Sequence, residues 1–227
     1  MSEQAKALVL GHSGGIGSAV AAELRVRGVD VEGLARADGL DWTSPASAEE
    51  ALGRAADSGP FDLVFDATGA LIIDDQQPEK KLAAIAAEAM AKQMTINAIG
   101  PALILKHYEA LLPRDRRSVL ATISARVGSI GDNHLGGWIS YRAAKAALNQ
   151  IVRTASVEIA RKRPEAICAA LHPGTVRTDL STPITGPNAK GTVSAEEAAR
   201  NLLAVLDGLR PEDSGGFFAY DGSVIPW

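Results

Sequence analysis

The segment from Ala7 to Gly28, ALVLGHSGGIGSAVAAELRVRG, decides the fold. Its first four residues form an apolar run of the kind that a buried parallel strand presents, and a glycine-rich turn follows at once. The stretch SAVAAELRVRG then has the pattern of a helix that ends at Gly28. A strand, a glycine-rich turn and a helix are the first unit of a dinucleotide-binding fold, because the turn lets the backbone approach a pyrophosphate and the helix start offers free N–H groups. The alternative is a plain tight turn.

Strands and helices alternate along the rest of the chain. Further strands are predicted at 29–35, 61–65, 118–123, 166–171 and 217–220. Helices are predicted at 47–56, over most of 79–112 with an interruption near Gly100-Pro101, around 141–161, and at 194–209; Ser47 with Glu50 and Ser194 with Glu197 have the spacing of capping boxes. The pattern predicts an α/β fold, a single Rossmann-type, doubly wound parallel sheet of about seven strands with helices on both faces, in one domain over residues 1–227.

Composition narrows the class of protein. The chain has 227 residues, of which 46% are hydrophobic, so it can bury a sizeable core. Its net charge of −4, without a basic block, argues against a nucleic-acid partner. The one cysteine, Cys168, is compatible with a reducing compartment, and neither a signal peptide nor a membrane-spanning run is evident. We therefore expect a soluble cytoplasmic protein.

Tyr141 and Lys145 lie four residues apart in a segment rich in Ala and Leu, so both side chains project from one helix face. An ammonium group favours a nearby phenolate, so Lys145 is expected to lower the pKa of Tyr141 from about 10 towards working pH. That would make Tyr141 a general acid and base. Taken alone, the spacing is more typical of a solvated helix face.

Two further residues have two interpretations each. Arg36 follows the second predicted strand, where this fold places the adenosine ribose, and it suits the 2′-phosphate of NADP. Asp38 and Asp41 keep NAD possible, and a solvated strand-end charge is the other interpretation of Arg36. Asn97 lies in an apolar helical stretch and needs a hydrogen-bond partner, so it either satisfies a carbonyl at a helix distortion or holds a water.

Several motifs then occur in one order along the chain. They are Gly11-x-x-x-Gly15-Ile16-Gly17, Asp41, Asp66-Ala67-Thr68-Gly69, Asn97, Tyr141-x-x-x-Lys145, and Pro173-Gly174-Thr175-Val176-Arg177-Thr178. Together they resemble the short-chain dehydrogenase/reductase family, and the resemblance covers nearly the whole chain. The family usually has Asn-Asn where this chain has Asp66-Ala67, and this is a departure from the family's pattern.

The resemblance implies reversible hydride transfer between NADP(H), or NAD(H), and a small-molecule carbonyl/alcohol pair. Tyr141 would be the proton donor, Ser124 would bind the same oxygen, Lys145 would bind the nicotinamide ribose, and Asn97 would hold a water of a proton relay. A homodimer or homotetramer is implied, and no metal. The residues implied at the cofactor are Gly11, Ser13, Gly15, Ile16, Gly17, Arg36, Asp41, Trp42, Ala67, Thr68, Gly69, Tyr141, Lys145, Pro173, Gly174, Val176 and Thr178.

The serine of the catalytic set stays open at this point. The family's serine commonly follows another small residue in a Ser-Ser pair, nearer to the tyrosine than Ser124, which precedes Ala125. Ser124, Ser129 or no serine takes the role, and we favour Ser124. The segments SARVGSIGDNHLGGW and FFAYDGSVIPW resemble the C-factor-like branch, which includes sniffer-type carbonyl reductases. That branch leaves a second hypothesis, a dinucleotide-binding regulatory or cell-signalling protein with little or no turnover.

Overall fold

The structure is a computed structural model that describes residues 4–186 and 191–227. In this part of the chain six strands form a parallel sheet with the order β2-β1-β3-β4-β5-β6. The predicted α/β fold with a doubly wound parallel sheet is confirmed, with six described strands instead of about seven. The strands are β1 (Lys6–Leu10), β2 (Asp30–Leu34), β3 (Leu63–Asp66), β4 (Ser118–Ile123), β5 (Ala166–His172) and β6 (Phe217–Ala219).

Helices cover both faces of the sheet. They are α1 (Gly15–Val26), α2 (Pro45–Ser58), α3 (Ala87–Met94), α4 (Gly100–Lys106), α5 (Tyr108–Leu111), α6 (Ile139–Lys162), α7 (Thr182–Thr185) and α8 (Ala195–Gly208). Side chains alternate along a strand, so Leu8 and Leu10 pack on the face of α2, α4 and α6, whereas Ala7 and Val9 pack on the face of α1 and α8. Among the described residues, none of the helices combines the length and the apolar character that crossing a bilayer requires.

The register of the central strands places the candidate site. Asp66 pairs with Thr122, and Ile123 pairs with Leu171, so β3, β4 and β5 end at nearly the same level. Because all strands are parallel, their carboxyl ends form one edge of the sheet. Ligands of open α/β sheets bind outside that edge.

The two predicted capping boxes have different outcomes. Ser194 caps α8, because its Oγ accepts the N–H of Glu197 at 3.2 Å. The prediction for Ser47 is wrong, since α2 begins at Pro45, and the Ser47 hydroxyl donates to the carbonyl of Gly39 at 2.7 Å. Proline at the first position of α2 needs no N–H partner, so the helix starts there instead of at the serine.

The long helical region also differs from the prediction. The chain continues helically through Gly100-Pro101, and the irregular part is a π turn at Thr95–Ile99, which contains Asn97. Pro101 lies in the first turn of α4, where a proline is tolerated. The loop predicted over the site at 176–193 holds α7 and a bridge between Val176 and Val193, and its residues 187–190 lie outside the described residues.

Candidate active site

A cavity of about 430 Å³ opens at the carboxyl edge of the sheet. Its walls come from the turn after β1, the ends of β3, β4 and β5, the first half of α6 and the segment leading to α7. Most of the residues expected at the cofactor or in the catalytic set line it: Ser13, Gly15, Ile16, Ala67, Thr68, Gly69, Ser124, Tyr141, Lys145, Pro173, Gly174, Val176 and Thr178.

The glycine-rich turn forms one end of the cavity. Gly11 has a φ of +76°, and a Cβ built on Gly17 would lie 2.2 Å from the Gly11 carbonyl oxygen, so the turn is closed too tightly for a side chain at position 17. Helix α1 begins at Gly15, and its N-cap residue Gly14 has no side chain that could take up the first N–H groups. Those N–H groups and the helix dipole suit an anionic phosphate group.

Tyr141 and Lys145 share the wall formed by α6. Both are buried, with 9% and 2% of their surfaces exposed, and Nζ lies 5.9 Å from the centre of the tyrosine ring. Lys145 Nζ donates to the carbonyl of Ile123 at 2.8 Å. Burial lowers the pKa of Lys145 to about 8, although the carboxylate of Asp66 opposes this. The pair predicted from the spacing is therefore a buried pair.

The expected effect of Lys145 on its neighbour is wrong for this structure. Burial raises the pKa of Tyr141 above its usual value, because the phenolate form would be removed from water. Tyr141 consequently keeps its proton at neutral pH. The edge of the Trp138 ring covers it, with ring centres 6.4 Å apart, and this contact helps to keep water away.

Asn97 lies just behind the cavity wall, where it holds the turn after β3. Its Oδ1 accepts the N–H of Ala70 at 3.1 Å, and its Nδ2 donates to the carbonyl of Ala70 at 2.8 Å and to Oε1 of Gln93 at 2.7 Å. A Cβ built on Gly69 would lie 3.0 Å from Asn97 Oδ1 and 3.5 Å from Lys145 Nζ. The two polar atoms therefore border the same small space, which glycine leaves open.

The serines of the candidate set lie in different places. Ser124 ends in the cavity wall, but its hydroxyl donates to Oδ1 of Asn149 at 2.6 Å, and both residues are buried. Nδ2 of Asn149 finds no partner among the described residues. Ser129 is tied to the carbonyl of Pro226 and does not line this cavity, whereas Ala125 does.

Three residues expected at the cofactor lie outside the cavity lining, besides the turn glycines Gly11 and Gly17, and so does Asn97 of the catalytic set. Arg36 is exposed just beyond β2. Asp41 accepts hydrogen bonds from the backbone and side chain of Thr43, which lowers its pKa. Trp42 is buried in the core, where its ring leaves no room for a side chain on Gly100.

Two residues of the site were missed by the sequence reasoning. His172 at the end of β5 lines the cavity, and its Nδ1 accepts the N–H of Arg126 at 3.3 Å. Burial and the charge of Arg126 lower the pKa of His172 to about 4, so it is neutral at pH 7 with its proton on Nε2. Asn149, four residues beyond Lys145 on the same helix face, could have been found by extending the spacing one step.

Comparisons with known proteins agree with this geometry. A family model described as enoyl-(acyl carrier protein) reductase matches residues 35–208, which is most of the chain. The 1-hydroxy-2-glutathionyl-2-methyl-3-butene dehydrogenase of Rhodococcus sp. is 31% identical over 97% of this chain and 98% of its own. The chain belongs to the short-chain dehydrogenase/reductase family. It is an oxidoreductase of that family.

Several other known proteins are similar to this chain. C-signal of Myxococcus xanthus is 44% identical over 61% of this chain and 78% of its own length. A structure described as a short-chain dehydrogenase/reductase from Burkholderia multivorans with bound NADP superposes with a TM-score of 0.80, at 26% identity over 99% of this chain and 100% of that one. An NADPH-bound carbonyl reductase from chicken fatty liver has a TM-score of 0.84 at 24% identity, over 99% and 100% of the two chains, and shares the fold.

Proposed function

We propose that this protein is an NADP(H)-dependent reductase that interconverts a small carbonyl compound and its alcohol, with Tyr141 as the acid and base. The observation that carries the proposal is the buried Tyr141–Lys145 pair in the wall of the cavity that also contains the glycine-rich turn. A proton donor and a cradle for phosphate groups thus border one space.

The residues present fit a nicotinamide dinucleotide. The open N–H groups at the start of α1 would hold the pyrophosphate. The missing side chain at Gly15 lets Thr178 lie against this turn, since a Cβ on Gly15 would be 2.5 Å from Thr178 Cγ2. The turn Ala67–Gly69 and Pro173-Gly174 would lie along the nicotinamide ribose. When bound, the reduced cofactor supplies hydride to the carbonyl carbon.

The protein's own groups handle the proton. Tyr141, whose raised pKa keeps it protonated, donates its hydroxyl proton to the substrate oxygen as negative charge develops there. The Lys145 ammonium stabilises the phenolate that remains, and its other N–H groups are available to a ribose hydroxyl. A water between Lys145 Nζ and Asn97 Oδ1, beside Gly69, would return the proton from solvent.

Ser124 has a different role in this proposal from the one favoured on sequence grounds. A hydroxyl has one proton to donate, and that of Ser124 is given to Asn149. Asn149 lies eight residues beyond Tyr141, about 12 Å along the helix axis. Ser124 therefore ties β4 to α6, and Tyr141 alone donates to the reacting oxygen.

NADP is the proposed cofactor, with NAD as the alternative. Arg36 is exposed beside the pair formed by His12 Nε2 and Asp38 Oδ2, which lie 3.2 Å apart. A guanidinium group there would pair with a 2′-phosphate. The NADP-bound relatives support the same preference.

The proposal extends to assembly and location. Ile99 at the end of the π turn and Val157 on α6 are 51% and 49% exposed, which supports a homodimer or homotetramer formed through these helices. One domain spans residues 1–227, and the free, buried Cys168 supports a cytoplasmic location.

The test combines binding with turnover. Titration with NADPH and NADH is followed by a panel of aldehydes and ketones, with Tyr141→Phe as the variant. We expect tighter binding of NADPH, turnover of some carbonyl compounds, and a loss of kcat of about 10²- to 10⁴-fold in the variant with unchanged cofactor binding. Full activity of Tyr141→Phe would refute the proposal.

The similarity to C-signal favours a second candidate, a dinucleotide-binding signalling protein. Tight NADPH binding without turnover of any carbonyl compound on the panel would support that function instead.

A further inference from the structure

Asp66 is a buried carboxylate at the end of β3, with 1% of its surface exposed. Its Oδ2 accepts the hydroxyl proton of Thr122 at 2.6 Å, and its Oδ1 accepts from the hydroxyl and the N–H of Thr68 at 2.6 and 2.9 Å. Three donors therefore point at this carboxyl group. Burial raises the pKa of Asp66, whereas the three donors and the nearby charge of Lys145 oppose this shift by stabilising the ionised form.

The ammonium of Lys145 and the carboxylate of Asp66 lie at the ends of two adjacent strands. Nζ donates to the carbonyl of Ile123, the residue after Thr122, and Thr122 is the register partner of Asp66 on the neighbouring strand. The ammonium also borders Gly69, three residues beyond Asp66. Two adjacent strand ends thus bring the carboxylate and the ammonium to one buried place.

The other charged or titratable groups that the structure describes around α6 are paired elsewhere, neutral or exposed, and Glu79 accepts hydrogen bonds from Ser140. Lys92, Lys106 and Arg126 are paired with Asp74, Glu49 and Asp132. His172 is neutral, burial raises the pKa of Cys168 to about 12, Tyr141 on α6 keeps its proton, and Glu88 on α3 is exposed. Among the described residues, Asp66 is the group whose charge raises the pKa of Lys145.

We propose that Asp66 is a positioning residue for catalysis, whose buried negative charge keeps Lys145 protonated and hence able to stabilise the tyrosinate. Its catalytic consequence rests on the proposed function. Without this charge, burial would leave a larger fraction of Lys145 neutral near pH 7, and a neutral amine stabilises a phenolate far less.

The test uses the cofactor-free protein and measures the free energy of unfolding in urea from pH 6 to 11. Lys145→Met is compared with Lys145 in two backgrounds, wild type and Asp66→Asn. The pKa of Lys145 in the folded state, about 8, is below the 10.5 of the unfolded chain. Below pH 8 the buried ammonium of Lys145 therefore lowers the free energy of unfolding. This destabilisation disappears as the pH rises from about 8 to 10.5.

Lys145→Met should therefore raise the free energy of unfolding at low pH. In the wild-type background this gain should begin to fall near pH 8. In the Asp66→Asn background we expect the gain to begin to fall at a pH lower by about 1. That is the size of effect that an opposite charge exerts on a pKa at close range. The alkaline limb of the pH profile of kcat/KM should move in the same direction. If the gain began to fall at the same pH in both backgrounds, Asp66 would be uncharged, and this result would overturn the inference.

Asp62→Asn is the matched control, because Asp62 lies at the other end of β3, paired with Arg116, and should leave the profile unchanged. If Asp66→Asn does not fold, Thr122→Val takes its place. It removes one hydrogen-bond donor from the carboxylate, so the gain from Lys145→Met should begin to fall at a lower pH, by a smaller shift than in Asp66→Asn. If no carbonyl compound is reduced, the proposed function fails, yet the unfolding experiment still decides the role of Asp66.

Discussion

The hydrogen bond between Ser124 and Asn149 yields a prediction that separates a structural serine from a catalytic one. In Ser124→Ala the Asn149 amide, whose Nδ2 already lacks a partner among the described residues, would lose the donor to Oδ1 as well. Both residues are nearly inaccessible, so water cannot replace the lost hydroxyl. Leaving a buried acceptor unpaired costs about 1–3 kcal/mol.

We therefore expect Ser124→Ala to lower the free energy of unfolding by about 1–3 kcal/mol, measured by urea denaturation at pH 7.5. For a chain of this size, each kcal/mol corresponds to about 2–4 °C in Tm. The fall in kcat should stay below about tenfold, because in our proposal Tyr141 supplies the proton. Tyr141→Phe should show the opposite combination, a large loss of kcat at nearly unchanged stability.

A double-mutant cycle provides the control. Replacing both partners by apolar groups can be nearly neutral, so adding Asn149→Leu to Ser124→Ala should restore most of the lost stability. The reasoning would be refuted if Ser124→Ala lost kcat to the same extent as Tyr141→Phe while its stability stayed at the wild-type value. In that case Ser124 would contact the reacting oxygen.

Three further predictions address the cofactor turn, cofactor choice and the thiol. Gly17→Ala should lower the free energy of unfolding by about 1–3 kcal/mol in the urea assay, since its Cβ would meet a backbone oxygen. Gly53→Ala in α2 has open space around its Cβ and should raise the free energy of unfolding by about 0.5–1 kcal/mol in the same assay. Arg36→Glu should weaken NADPH binding at least about tenfold relative to NADH in fluorescence titrations, and an unchanged ratio would remove Arg36 from the site. Cys168, fully buried and with its pKa raised to about 12, should react with a thiol reagent at pH 8 only after addition of urea.

Much of the fold was accessible from the sequence because its signals are local. Ser118–Ile123 (SVLATI) is a mostly apolar run after a charged stretch, and the structure has a strand with those bounds. Tyr141 and Lys145 could be paired because helical spacing alone brings them to one face. These features need no knowledge of distant neighbours.

What the sequence did not provide depends on contacts across the chain. The partner of Ser124 is 25 residues away, on α6. Helical spacing puts Asn149 on the same face as Lys145, but it does not tell which acceptor the Ser124 hydroxyl reaches. The pKa of Tyr141 was expected to fall because the charge of Lys145 is visible in the sequence, whereas its burial is not. Trp42 illustrates the same limit, since its place against Gly100 in the core follows only from how α4 packs.

The π turn at Thr95–Ile99 has a consequence for engineering. It holds about one residue more per turn than an α-helix. The helical residues that follow it are therefore rotated by about 100° around the helix axis, compared with a continuous α-helix. Deleting one residue from the π turn would restore a regular α-helix and move the carboxamide of Asn97 out of hydrogen-bonding distance of Ala70. A shortened chain of this kind would probe the proton route while every side chain that faces the cavity keeps its chemical identity.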